Sequence, residues 1–157
     1  MSLEIVLVED SADDATLLRR AFNVFESSPA MRVFNGSLEA FKYLTELKAT
    51  GARNPDLLVL DLQLPDCPGN LLLKNLRNHA PHLKDVPVAV VSNHIPLREQ
   101  IDQDSVHACF EKPFRYAQWK ELAGTLMELA LKREVRSGGF EIKNPPGIEK
   151  VRRSAVL

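Results

Sequence analysis

Short apolar runs and longer amphipathic stretches alternate along this chain. Leu3-Glu4-Ile5-Val6-Leu7-Val8 is mostly apolar, rich in β-branched residues, and stops at Glu9-Asp10-Ser11. Such a run predicts a strand covered on both faces. Leu18, Ala21, Phe22 and Phe25 then recur at helical spacing, with Asp13 and Asp14 in the first turn, where the helix dipole favours anions. Residues 31–34 predict a second strand, and Asn35-Gly36 a turn. Ser37 fits the N-cap of a helix carrying Ala40, Phe41, Leu44 and Leu47, closed by Gly51. Residues 56–61 predict a third strand, apolar through its middle. A Pro- and Gly-bearing loop, Leu64-Pro65-Asp66-Cys67-Pro68-Gly69, leads to a short helix over about 70–78. The fourth strand falls on 86–91, ending at Ser92, and the fifth on 106–110. Between them, 95–104 makes a poor helix: Pro96 suits only a first turn, and Asp102 and Asp104 sit at the wrong end for the dipole. Tyr116, Trp119, Leu122, Leu126 and Leu129 mark a long last helix.

Five strands alternating with five helical patterns predict an α/β domain: a doubly wound five-stranded parallel sheet with right-handed crossovers and five flanking helices. Residues 137–157 break the pattern with Ser137-Gly138-Gly139 and Pro145-Pro146-Gly147, and nothing in them places this tail in the same sheet. Phe140-Glu141-Ile142-Lys143 alternates, which suits a short strand or extended arm as well as it suits disorder.

Composition narrows the function. The chain has 157 residues, enough for one domain with a real core, and a formal charge of −1. So balanced a charge argues against a broad electrostatic grip on nucleic acid or anionic lipid. The tail holds Lys143, Lys150, Arg152 and Arg153 against Glu141 and Glu149, too little to imply DNA binding. Two cysteines cannot make a disulfide framework, and no apolar run is long enough to span a bilayer. A cytoplasmic protein without membrane or DNA partner is the expectation.

The candidate chemistry is positional. Glu9 and Asp10 end the first strand and Asp61 the third; Ser92 ends the fourth, and Lys112 follows the fifth. In an open α/β sheet the carboxyl ends of the strands line one edge, where ligands bind. Clustered carboxylates repel unless a cation sits among them, and an all-oxygen set open to water suits Mg²⁺. A carboxylate can serve as nucleophile, and the transferred phosphoryl group needs its oxygens neutralised. These residues meet the needs of a site that forms and holds an aspartyl phosphate.

Val6-Leu7-Val8-Glu9-Asp10-Ser11, Leu58 to Asp66 with Gly69, Val90-Val91-Ser92 and Glu111-Lys112-Pro113-Phe114 together resemble the receiver domain of two-component response regulators, over about residues 3–134. The resemblance implies a flavodoxin-like fold, with a phosphoacceptor domain over 1–136 and a tail or arm over 137–157. It makes Asp61 the phosphoacceptor and Asp10 the direct Mg²⁺ ligand. Glu9 assists largely through water, the Gln63 backbone carbonyl is a further ligand, and Ser92 and Lys112 bind phosphoryl oxygens. The implied partners are a sensor histidine kinase as phosphoryl donor and a second copy of the chain. The second copy would meet it through the face of the fourth helix, fifth strand and fifth helix, with the tail as an arm. The layout without an output domain, the long 48–55 segment and the 82–87 approach to strand four are similar to regulators paired with bacterial and cyanobacterial phytochrome kinases. One departure stands out: the family usually has Tyr or Phe three residues before the lysine, and here that residue is Cys109, with Phe110 facing the other way.

Two other readings stay open at this point. A pseudo-receiver, an interaction module without phosphate chemistry, gains from Cys109. A phosphohydrolase with an aspartate nucleophile is disfavoured by Gln63, where a second acid is usual, and no catalytic turnover is expected. Asp13 and Asp14 read as helix-start charges and Asp66 as a turn residue. Cys67 reads as a small loop residue and Cys109 as a buried hydrophobe. His79 and His82 lack zinc-like partners, and His94 is either a loop residue or a gate on water near Ser92. Met127, Leu131 and Val135 widen the apolar surface of the last helix.

Overall fold

The computed structural model describes residues 2–94, 101–102 and 104–131, and the backbone at 141–142. Strands β1 (Glu4–Val8), β2 (Ala30–Phe34), β3 (Leu57–Leu60), β4 (Val88–Ser92) and β5 (Ala108–Glu111) form a parallel sheet in the order β2-β1-β3-β4-β5. The helices are α1 (Ala12–Phe22), α2 (Ser37–Thr50), α3 (Gly69–His79) and α4 (Tyr116–Leu131), with a 3-10 turn at Pro81–Leu83. Period-two alternation splits the core. Val6, Val8, Leu58, Leu60, Val88, Val90 and Cys109 face α2 and α3. Ile5, Leu7, Leu57, Val59, Ala89, Val91 and Phe110 face α1 and α4. Both faces are covered, so the central strands are apolar throughout, as expected. Cys109 and Phe110 lie in opposite core layers, as the alternation required.

The chain leaves β1 outward to β2, then returns over β1 to β3. This reversal places a switch point between the carboxyl ends of β1 and β3, where open α/β sheets form their crevice. Gly51, at φ 71°, closes α2 as expected.

Several expectations are corrected. Strands β4 and β5 start two residues later than predicted. Val86 is held in a turn by its N–H to Leu83 O (3.0 Å), and Ser105 and Val106 both donate to Asp102 O (3.0 and 3.2 Å). Ser92 is the last residue of β4, as expected. The N-cap of α2 is Gly36, and Ser37 is the first helical residue. The capping carboxylate comes from Asp66, which accepts from Ser37 N (3.0 Å) and Leu38 N (2.9 Å), while Ser37 Oγ donates to Cys67 O (2.7 Å). A Cβ on Gly36 would press on the Asp66 carboxylate at 2.8 Å, so glycine there leaves the cap its room. Asp66 is thus no mere turn residue. The helix expected over 95–104 lies largely outside the described residues; Ile101, Asp102, Asp104 and Ser105 are not helical.

The tail contributes one short element. Glu141–Ile142 form a two-residue strand, β6, parallel to β5 with pairs Ala108↔Glu141 and Cys109↔Ile142. The alternation over 140–143 allowed a short strand, and backbone groups at the sheet edge give it a partner in β5. The rest of the tail, and Val135, lie outside the described residues.

Candidate functional site

The backbone ladder gathers the polar side chains. Glu9 continues past β1, its N–H bonded to Phe34 O (2.9 Å), and Asp61 N donates to Val8 O (3.0 Å). The first bond ties β1 to β2, and the second brings the carboxyl ends of β1 and β3 side by side. Lys112 N donates to Ser92 O (3.0 Å), which ties the end of β5 to β4. Gly69 lets α3 start against this edge. A Cβ there would collide with the Asp61 carbonyl oxygen, and Gly69 N instead bonds Leu62 O (3.0 Å).

Around Asp61 the polar atoms converge. Its side chain is buried, with the residue 3% exposed. Oδ1 accepts from Ser92 Oγ (2.9 Å) and from Gln63 N (2.9 Å). Oδ2 lies 2.9 Å from Lys112 Nζ. The same ammonium lies 2.8 Å from Glu9 Oε2 and 2.8 Å from Asp14 Oδ2. Glu9 Oε1 also accepts from Ser11 N (2.9 Å). Glu9 and Lys112 are both under 10% exposed, whereas Asp10 and Gln63 face solvent.

The electrostatics follow from the imbalance of charge. Burial pushes Glu9 up to about 7 from an ordinary value near 4.5, and the Asp61 charge adds to the rise. Hydrogen bonds from Lys112 and the Ser11 amide offset part of it. Burial alone would pull the Lys112 ammonium down, but its bonds to Asp14, Glu9 and Asp61 outweigh that and hold it above the usual lysine range. Lys112 is therefore a fixed cation among carboxylates.

Glu9, Asp10 and Asp61 each present an oxygen, and the three atoms lie within 4.8 Å of one another. Three oxygen donors, two buried and one open to water, fit a hard divalent cation that keeps part of its hydration. Among the described residues no other His, Cys, Asp or Glu group meets the same test.

The sequence-predicted residues Glu9, Asp10, Asp61, Gln63, Ser92 and Lys112 all reach this edge. For Gln63, expected to act through its carbonyl, the recorded contact is the N–H given to Asp61. Asp14 is the residue the sequence reading missed. It stands in the first turn of α1, as expected of a helix-start charge, and it also pairs with Lys112 from 98 residues away. Its sole sequence signal is its place in the first turn after the Glu9-Asp10 strand end.

The remaining candidates stay outside the site. His82 Nε2 lies 2.9 Å from Leu44 O, and His79 meets the Phe41 ring edge-on at 6.0 Å between centroids. His94 is exposed. Cys67 Sγ contacts Pro68 O at 3.7 Å. Burial pushes the Cys109 thiol up to about 12, so it packs as a small hydrophobe. On α4, Trp119, Leu122 and Leu126 are buried and Leu131 is exposed. No helix among the described residues is long and apolar enough to cross a membrane.

Known proteins share this family and fold. The model of the response regulator receiver domain matches residues 5–123. Response regulator Rcp1 of Synechocystis sp. is 29% identical over 108 residues, 68% of this chain and 69% of that protein. A protein-glutamate methylesterase/protein-glutamine glutaminase of Cereibacter sphaeroides is 33% identical over 95 residues, 60% of this chain. The match spans only 23% of that methylesterase. Among solved structures, the phosphorylated cyanobacterial phytochrome response regulator RcpA superposes with TM-score 0.74 at 26% identity, covering 86% of this chain and 98% of that one. The Mn²⁺-bound form of response regulator Rcp1 gives TM-score 0.70 at 21% identity, covering 87% and 99%.

Proposed function

The chain belongs to the response regulator receiver family, and from that premise we propose that Asp61 accepts a phosphoryl group from a phosphohistidine on a sensor histidine kinase, with Mg²⁺ held by Glu9, Asp10 and Asp61. The observation that carries this reading is the setting of Asp61. It is a buried carboxylate with a hydroxyl and an amide on one oxygen and a lysine ammonium on the other. An Asp61 oxygen attacks phosphorus; a new O–P bond forms as the P–N bond to the donor imidazole breaks. The electron pair stays on the departing nitrogen, which takes a proton from solvent. Ser92 Oγ and Lys112 Nζ already contact the carboxylate, so both are placed to donate to the incoming phosphoryl oxygens. The bound cation would neutralise charge on that group and on the acidic cluster. Burial of Asp61 limits access of water to the product.

RcpA and Rcp1, the former named as a phytochrome response regulator, support a phytochrome-type kinase as donor. We further infer a homodimer through the β5 and α4 face with the 137–157 arm. The two-residue pairing of β6 on β5 supports an arm that runs along that edge. A chain ending at Arg136 should lose dimer mass in solution, and an unchanged mass would remove this part of the reading.

The deciding experiment is intact-protein mass after incubation with acetyl phosphate and Mg²⁺. Wild type should gain one phosphoryl group, whereas Asp61→Asn and a metal-free control should gain none. No gain in folded wild type, together with no beryllofluoride binding, favours the pseudo-receiver reading.

A further inference from the structure

Lys112 has a partner that stands outside the metal-binding set. Its ammonium carries three N–H donors, and three carboxylates surround it: Glu9, Asp61 and Asp14, all at 2.8–2.9 Å. Glu9 and Asp61 have a second claim on their lone pairs, because both belong to the three-oxygen cluster. Asp14 does not. It is also rooted separately, in the first turn of α1, where Ser11 Oγ accepts from its N–H at 3.2 Å. That helix is pinned to the sheet through Ala15, Leu18, Ala21 and Phe22. A lysine ammonium on its four-carbon stem is a mobile point charge unless something fixes it.

We propose that Asp14 is a positioning residue that holds the Lys112 ammonium beside Asp61 while Glu9 and Asp61 engage the cation and the phosphoryl group. The proposal rests on the reading of Asp61 as phosphoacceptor. As the O–P bond forms, the Lys112 donor now given to Asp61 passes to a phosphoryl oxygen. The donor given to Asp14 is undisturbed, so the ammonium stays in place through the transfer. Fixing a charged group before the reaction removes the need to reorient it during the reaction.

The test compares the full-length wild type with Asp14→Asn and Asp14→Glu. The first readout is the ¹H–¹⁵N signal of the Lys112 ammonium, whose protons exchange slowly only when paired and shielded. The second is the rate of phosphoryl uptake from acetyl phosphate with Mg²⁺, and the third is Mg²⁺ affinity by titration. Asp14→Asn should lose the ammonium signal and slow uptake on the order of tenfold to a hundredfold, while Mg²⁺ affinity stays within the same order of magnitude. Asp14→Glu keeps the charge and should recover part of the rate. Wild-type uptake with a persistent ammonium signal in Asp14→Asn overturns the proposal, as does an equal loss of rate and Mg²⁺ affinity, which would mean general damage to the site. If wild type takes up no phosphoryl group, the Asp61 reading fails on its own. The ammonium signal then still decides whether Asp14 anchors Lys112. Should Asp14→Asn not fold, Asp14→Ser supplies the same comparison.

Discussion

The two edges of the sheet use polar residues in opposite ways. At the amino edge, side chains tie down the backbone of neighbouring loops. Arg77 donates to Ser105 O (3.0 Å) and Leu83 O (3.3 Å), and Asn54 donates to His82 O (2.7 Å). The His107 ring accepts from Val88 N (3.0 Å). At the carboxyl edge, Glu9, Asp14 and Asp61 converge on a single ammonium. Polar groups at the first edge satisfy a fixed backbone. Those at the second leave negative charge in excess, which favours a cation and a transferred group. The fold is the same at both ends; the charge balance makes one edge a fastening and the other a site.

The sharpest way to break this comparison is to remove the single cation. Lys112→Met leaves Glu9 and Asp61 buried without their cationic partner, which should cost about 3–5 kcal/mol at neutral pH. Urea unfolding in chelator measures it, and added Mg²⁺ should restore part of the loss. A cost under about 1 kcal/mol would show that the carboxylates are not held against their own repulsion.

A second test uses Glu9. Its folded value of about 7 lies above its ordinary value near 4.5, so the folded protein binds that proton more tightly than the unfolded chain. Its contribution to stability is full below pH 4.5 and is lost as pH rises through about 7. The loss amounts to about 3 kcal/mol at most. Without metal, the urea midpoint of wild type should fall across this window, whereas Glu9→Gln should hold steadier. Parallel slopes would contradict the burial of an ionisable Glu9.

The smallest effect belongs to the amino edge. Arg77→Ala removes side-chain bonds to the 83–84 and 105 backbone and should cost about 1–3 kcal/mol. Phosphoryl uptake should be unchanged once the variant is folded. A change in uptake rate would mean that the two edges are coupled.

Much of this molecule was legible along the chain. The apolar runs marked β1, β3, β4 and β5, whose two faces are buried, and the residues at their ends gave Glu9, Asp10, Asp61, Ser92 and Lys112. Strand starts were less legible. Val86 and Val106 look like strand residues, but their amides bond within turns. The α2 cap was misread because a serine at the helix start is a local signal, whereas Asp66 lies 28 residues from the Leu38 amide it caps.

By itself, the sequence determined what depends on neighbours along the chain: the periodicity, the helix stop at Gly51, and the identity of the groups delivered to the strand ends. What depends on strand order follows from the three-dimensional arrangement instead. That order brings α1 and the end of β5 to the same edge, so Asp14 meets Lys112 across 98 residues. It also sets the Asp66 loop on α2 and the β6 backbone on β5. Periodicity records which face of an element is buried; which distant carboxylate shares a lysine follows from how the elements are arranged in space.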